Sequence, residues 1–146
     1  MLVDNSGLQM SYSDSYNRIS AQKRLKDYEM LAFACKRAGK SRDEGRAYYS
    51  TGVLYDNLGK YKQAVAEYKK FLQVCRAIGD VHGEALAYNC IGVDYMNLAN
   101  PAGSIFSIQL NDDSVAHLNK ALSYHSRHLE IGPDPGAQFV ANTNMG

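Results

Sequence analysis

Apolar side chains recur at three- and four-residue steps through most of the chain, the spacing of one buried helical face. In Gly45–Leu58 the recurring positions are Tyr48, Thr51, Tyr55 and Leu58, and Leu58-Gly59-Lys60 supplies a glycine stop. Tyr61, Ala64, Val65, Tyr68, Leu72, Cys75 and Ile78 then form the stripe of a second helix, which Gly79-Asp80 ends. So short a break between two helices implies an antiparallel hairpin. Residues 15–38 read as another helix, with Tyr28, Leu31, Ala32 and Cys35 on one face. A further helix resumes near Ser114, with Val115, Leu118, Ala121, Leu122 and Leu129 inward. The pattern predicts an all-α fold.

The pattern also repeats. Residues 35–58 superimpose on residues 75–98 at a shift of forty, with ten of twenty-four positions identical. The identities are Cys35/Cys75, Gly39/Gly79, Glu44/Glu84, Ala47/Ala87, Tyr48/Tyr88, Gly52/Gly92, Val53/Val93, Tyr55/Tyr95, Asn57/Asn97 and Leu58/Leu98. Upstream the register holds at Tyr28/Tyr68. Each unit is then a pair of helices, and stacked pairs would build an α-solenoid of antiparallel hairpins. Gly52 and Gly92 fall in mid-helix, where glycine costs about 1 kcal/mol against alanine. Their recurrence predicts close approach of a neighbouring helix.

Tyr48, Thr51, Gly52, Tyr55, Leu58-Gly59, Tyr61, Ala64 and Tyr68 resemble the signature of the tetratricopeptide repeat, and Tyr88, Ile91, Gly92, Tyr95 and Leu98 repeat its first half. Tyr48 and Tyr88 stand where that family usually has tryptophan. The usual proline between units is replaced by the turn at residues 78–85. That turn and the period of forty resemble the longer-period subgroup that includes the Pins-type polarity adaptors, rapsyn and several ciliary repeat proteins.

The resemblance implies a protein–protein interaction scaffold whose first helices line a concave groove holding a peptide or helix of a partner. Arg46, Tyr49, Val53, Asp56 and Asn57 would line it from one unit, and Leu86, Asn89, Val93, Met96 and Asn97 from the next. This mixture of apolar, amide and charged side chains suits peptide or helix docking. Val53 and Val93 occupy the position after the mid-helix glycine, where chaperone-binding members place asparagine, and only Arg46 offers a cation. A carboxylate clamp and an asparagine ladder are therefore not expected. The alternative is a structural segment of a longer repeat protein, docked in a fixed assembly such as a ciliary axoneme.

The flanks are less regular. Residues 1–14 lack the glycine and the apolar spacing of a first helix and read as a loose segment ahead of a repeat region over 15–146. Aligning Gly132 with Gly79 needs a shift of fifty-three, so about thirteen residues are inserted, at Ala99–Asp113. Phe106, Ile108 and Leu110 alternate there with Ser107 and Gln109, a short strand-like pattern. The insertion is either a binding element or a flap covering an apolar strip of its own helices. Gly136–Gly146 resembles the opening of another first helix, which makes the chain read as a piece of a longer array.

Candidate chemistry changes the picture little. Cys35, Cys75 and Cys90 show no CxxC spacing, and the equivalent pair Cys35 and Cys75 reads as small buried hydrophobes. His117, His125 and His128 share one helix, but no cysteine or carboxylate completes a metal site at helical spacing. No nucleotide-binding glycine loop and no nucleophile–base constellation can be built, so neither an enzyme nor a cofactor is expected. There is no run of eighteen apolar residues, no signal peptide and no Asn-x-Ser/Thr acceptor, which points to a cytoplasmic chain away from membranes. The resemblance adds a ciliary or cytoskeletal setting.

Eleven tyrosines accompany four phenylalanines and no tryptophan, and seven of them (28, 48, 55, 61, 68, 88 and 95) fall on repeat positions. The tyrosine excess is thus the repeat itself. Net charge is +1, but residues 1–76 hold fourteen Lys/Arg against eight Asp/Glu while residues 77–146 hold two against seven. This asymmetry suits an acidic partner for the first half or end-to-end association of copies. Basic residues at ordinary density over helix faces do not suggest nucleic acid.

Overall fold

A computed structural model describes residues 12–100 and 112–131. Among these the chain is all-helical: α1 (Tyr12–Arg37), α2 (Ser41–Asn57), α3 (Tyr61–Ile78), α4 (Val81–Ala99) and α5 (Asp112–Ile131). The expected break at Leu58-Gly59-Lys60 and the stop at Gly79 lie where the pattern put them. Helix α1 starts at Tyr12, inside the segment expected to be loose, and α5 at Asp112 rather than near Ser114. The strand-like stretch of the insertion, most of residues 1–14 and Gly136–Gly146 lie outside the described residues.

The helix ends explain the period. Gly39 and Gly79, forty residues apart, have φ of 73° and 71° in the left-handed region that a side chain disfavours. The turn they make lets the amide of Lys40 donate to the Cys35 carbonyl and that of Asp80 to the Cys75 carbonyl, both at 2.9 Å. These bonds close the last turn of α1 and of α3 and send the chain straight into the next helix. Asp80 then caps α4, its Oδ1 accepting from the Gly83 amide at 2.9 Å. Helix α2 has no such side-chain cap, but Asp43 and Glu44 in its first turn complement the helix dipole.

Extensive packing joins chain neighbours: α1 on α2, α2 on α3, α3 on α4 and α4 on α5. With links as short as residues 58–60 and 79–80, α2, α3 and α4 run antiparallel in succession. The core centres on α3 and α4, where Ala64, Tyr68, Cys75, Ala87, Tyr88 and Ile91 are almost wholly buried, with Ala121 of α5 added. Cys35 and Cys75 are both buried free thiols, as expected for small hydrophobes. Of the seven repeat tyrosines, Tyr68, Tyr88 and Tyr95 are buried and Tyr28, Tyr48, Tyr55 and Tyr61 half-buried.

The mid-helix glycines mark close approaches. A Cβ on Gly52 would stand 2.5 Å from Cε1 of Tyr68, and one on Gly92 would stand 2.8 Å from the His125 ring. In both units an aromatic ring of the following helix therefore lies on bare backbone. Under the shift of fifty-three the residue equivalent to Tyr68 is Ala121, yet the ring on Gly92 belongs to His125, one turn further along α5. Across the insertion the ring that meets the glycine has moved by a helical turn. No described helix is long and apolar enough to cross a membrane.

Candidate partner-binding groove

Helix α4 carries half of the residues expected to line the groove. Gly83, Ala85, Ala87, Tyr88, Ile91, Gly92, Asp94, Tyr95 and Ala99 are buried, so α3 and α5 cover most of its circumference. Beyond the first turn, where Val81 is exposed, what remains open is a strip. Leu86, Val93 and Met96 are 39%, 43% and 49% exposed at spacings of seven and three, and half-buried Asn89 and Asn97 lie between and beside them. All five are among the residues expected to line the groove.

The α2 contribution is divided. Arg46 and Tyr49 share a pocket with Leu86, so the two units meet there; Phe71, Val74 and Ile78 of α3 form its floor. Tyr49 is half-buried, its ring tilted against those of Phe71 and Tyr68 at 5.3 and 5.9 Å. Arg46 is exposed and pairs loosely with Asp43 at 3.7 Å, a surface contact of little energy that leaves its guanidinium available. Val53 packs partly buried against the core. Asn57, in contrast, lines a separate pocket between α1 and α2, with Asn17, Arg18 and Leu54. It is not brought together with Arg46, Tyr49 and Leu86.

Asp56 is turned inward. Its Oδ2 accepts a 2.6 Å hydrogen bond from the Tyr68 hydroxyl, while its Oδ1 is buried without a donor. The Asp94 carboxyl, 2% exposed, lies close enough to Asp56 to share a hydrogen bond, and its Oδ2 also lacks any other donor. Two carboxylates cannot bond each other, so the contact requires one proton between them. Burial first, then the bond and the charge of Asp56, push the Asp94 carboxyl up to about 8. A neutral Asp94 donating to an ionised Asp56, itself held by Tyr68, satisfies the geometry. The Tyr68 hydroxyl is pushed up by burial and by Asp56, so it stays a donor. This pair ties α2 to α4 under the groove, and only its edge at Asp56 reaches the surface. A lone acid at position 94, between Val93 and Tyr95, where the preceding unit has Leu54, was the signal in the sequence that could have found it.

The signature tyrosines are held alike in both units. Tyr48 donates to Glu44 at 3.4 Å and Tyr88 to Glu84 at 3.3 Å, each acid one turn earlier. A cation of α3 stands over each ring: Lys70 over Tyr48 at 5.7 Å and Arg76 over Tyr88 at 5.5 Å. The Arg76 guanidinium also donates to the Tyr88 hydroxyl.

Two of the three thiols are held in their protonated form. Burial pushes the Cys75 thiol up to about 11 and the Cys90 thiol up to about 12, with nearby carboxylates adding to the shift. Neither forms a thiolate near neutral pH, so neither is a nucleophile. His117 stacks on Tyr95 at 5.8 Å and His125 packs on Gly92 with Nε2 buried and unpartnered. Among the described residues no three His, Cys, Asp or Glu side chains are placed to hold a metal ion. Comparison of the chain with models of known protein families and with curated proteins gives no match.

Proposed function

We propose that the chain is a tetratricopeptide-like α-solenoid that acts as a protein–protein interaction scaffold, holding a peptide or helix of a partner along α2 and α4. The observation that carries this reading is the open strip of α4. A helix buried on nearly every side presents Leu86, Val93 and Met96 to solvent, with Asn89 and Asn97 able to bond a backbone. Tyr49 and Arg46 of the preceding unit extend the strip through the pocket they share with Leu86. Apolar anchors flanked by amide and cationic groups suit a partner segment with apolar side chains at helical or extended spacing.

The test is selection of peptides from a displayed library on the intact chain, followed by titration against Val93→Arg and Val53→Arg. A selected peptide should lose about tenfold or more in affinity on either substitution, because an unpaired guanidinium would replace an apolar contact. Helical circular dichroism should stay unchanged, since Val93 is exposed and Val53 only partly buried. Peptides that bind parent and variants alike would overturn the reading.

A second reading, a structural segment docked within a fixed assembly, is favoured by α5. Val115, Leu122 and Leu129, which the spacing expected to point inward, are instead exposed at intervals of seven, a single stripe that a further helix would cover. Binding that is lost on Leu122→Asp but kept on Val93→Arg would select it.

A further inference from the structure

The outer face of α1 carries a second stripe. Tyr16, Ile19, Lys23, Lys26, Met30, Phe33 and Arg37 follow one another at alternating steps of three and four, the seam of a coiled-coil helix. All seven are exposed, with Tyr16, Ile19, Met30 and Phe33 at 64%, 67%, 70% and 62%. The stripe lies opposite Ala32 and Cys35, which are buried on the side of α1 toward α2. One edge of it turns toward the other helices, where Lys26 and Phe33 line a pocket with Tyr48, Thr51 and Tyr55 of α2 and Glu67 and Lys70 of α3, yet all seven residues stay exposed.

The repeat does not require the stripe. At the shift of forty, the α3 residues equivalent to Lys23, Lys26, Met30, Phe33 and Arg37 are Gln63, Ala66, Lys70, Gln73 and Ala77. These are exposed too, and none is a large hydrophobe. On α3 this face is an ordinary solvated surface. On α1 the same face holds Met30 and Phe33, with the Arg37 guanidinium over the Phe33 ring at 5.7 Å. Exposing large apolar groups where the fold asks for none is the mark of a contact surface.

The charges select the occupant. Lys23 and Lys26 stand at the middle of the seam and Arg37 at its end, and the seam contains no acid. A second copy laid parallel along the stripe would place Lys23 and Lys26 against their own equivalents, and an antiparallel copy in full overlap would place Lys26 against Lys26 and Lys23 against Met30, so either leaves central ammonium groups without an acid. A lipid surface would have to accept those central lysines beneath the apolar residues, whereas membrane-lying helices carry their cations on the polar face. An acidic helix meets both requirements, with apolar seam residues against the two ends and glutamate or aspartate against the middle. We propose that the outer face of α1 is a docking site for an amphipathic helix with acidic residues at its central seam positions. The site is separate from the groove of α2 and α4 and does not depend on it.

The test uses the whole chain and two synthetic heptad-repeat helices with leucine seams, one carrying glutamate and the other lysine at the central seam positions. The glutamate helix should bind, and more weakly at high salt. Phe33→Asp should weaken it about tenfold or more, and the double change Lys23→Glu with Lys26→Glu should transfer preference to the lysine helix. That reversal cannot come from misfolding. Val93→Arg should leave binding of the glutamate helix unchanged. No binding of the glutamate helix, equal binding of the two helices, or binding of phosphatidylserine vesicles in place of either would overturn the proposal.

Discussion

A methyl group on Gly52 would stand 2.5 Å from Cε1 of Tyr68, a ring that is itself 1% exposed and bonded to Asp56. Two effects compete in Gly52→Ala. Helix propensity would favour alanine by about 1 kcal/mol. Overpacking against a ring that cannot swing away costs about 1–3 kcal/mol and breaks the Tyr68–Asp56 bond if the ring moves. Gly52→Ala should therefore lower the melting temperature, which thermal denaturation followed by circular dichroism will show; an unchanged or raised value would mean that Tyr68 is not held as described. Asp94 gives a prediction in pH. Its native carboxyl keeps a proton up to about 8, whereas the unfolded chain releases it near 4. Between those values the native state binds more protons, so this group makes stability fall as pH rises and level off above about 8. Asp94→Asn keeps a donor for Asp56 without a charge. It should melt above the parent at alkaline pH and remove that part of the decline. A parent and variant with parallel pH profiles would contradict the shared proton. The buried Cys75 thiol should react with a disulfide reagent near neutral pH only as fast as the chain unfolds, and the half-buried Cys90 thiol should react more slowly than a free cysteine because burial holds it protonated.

At the scale of elements, the two units differ in how their first helices begin. Asp80 caps α4, while its repeat equivalent Lys40 makes no side-chain cap for α2. Asp80→Ala should cost about 1 kcal/mol, read as a shift in the denaturant midpoint. No shift would show that the bond to Gly83 contributes nothing. Helix boundaries were legible in the sequence because glycine turns punctuate them. Gly59 and Gly79 each stand where a helix stops, and the period carries the same signal to Gly39. What the period could not carry across the insertion was register. The ring on Gly92 is that of His125, a residue the sequence offers only as part of an incomplete metal-ligand set. A packing role for an imidazole has no periodic signature when its equivalent in the other unit is a tyrosine at another position.

For the whole molecule, the candidate groove follows from the resemblance and not from spacing alone. The resemblance puts Leu86, Val93 and Met96 in the groove, and they are exposed on one strip of α4. It puts Asp56 and Asn57 there too, and they behave otherwise. Asp56 is drawn inward by Tyr68, a partner on another helix, and Asn57 faces a pocket with α1. Contacts between helices, within a unit for Asp56 and between units for Asn57, decide such cases, and no local pattern encodes them. The α1 stripe was hidden for a different reason: its four exposed hydrophobes look like core until the buried face of α1 is known. If a partner lies along the strip of α4 and its α2 edge, a map of backbone amide shifts in the isotope-labelled chain will show it as a selected peptide is added. Perturbations should concentrate at Tyr49, Val53, Leu86, Asn89, Val93 and Met96. Perturbations confined to α1, α3 and α5, with those residues unmoved, would contradict that placement.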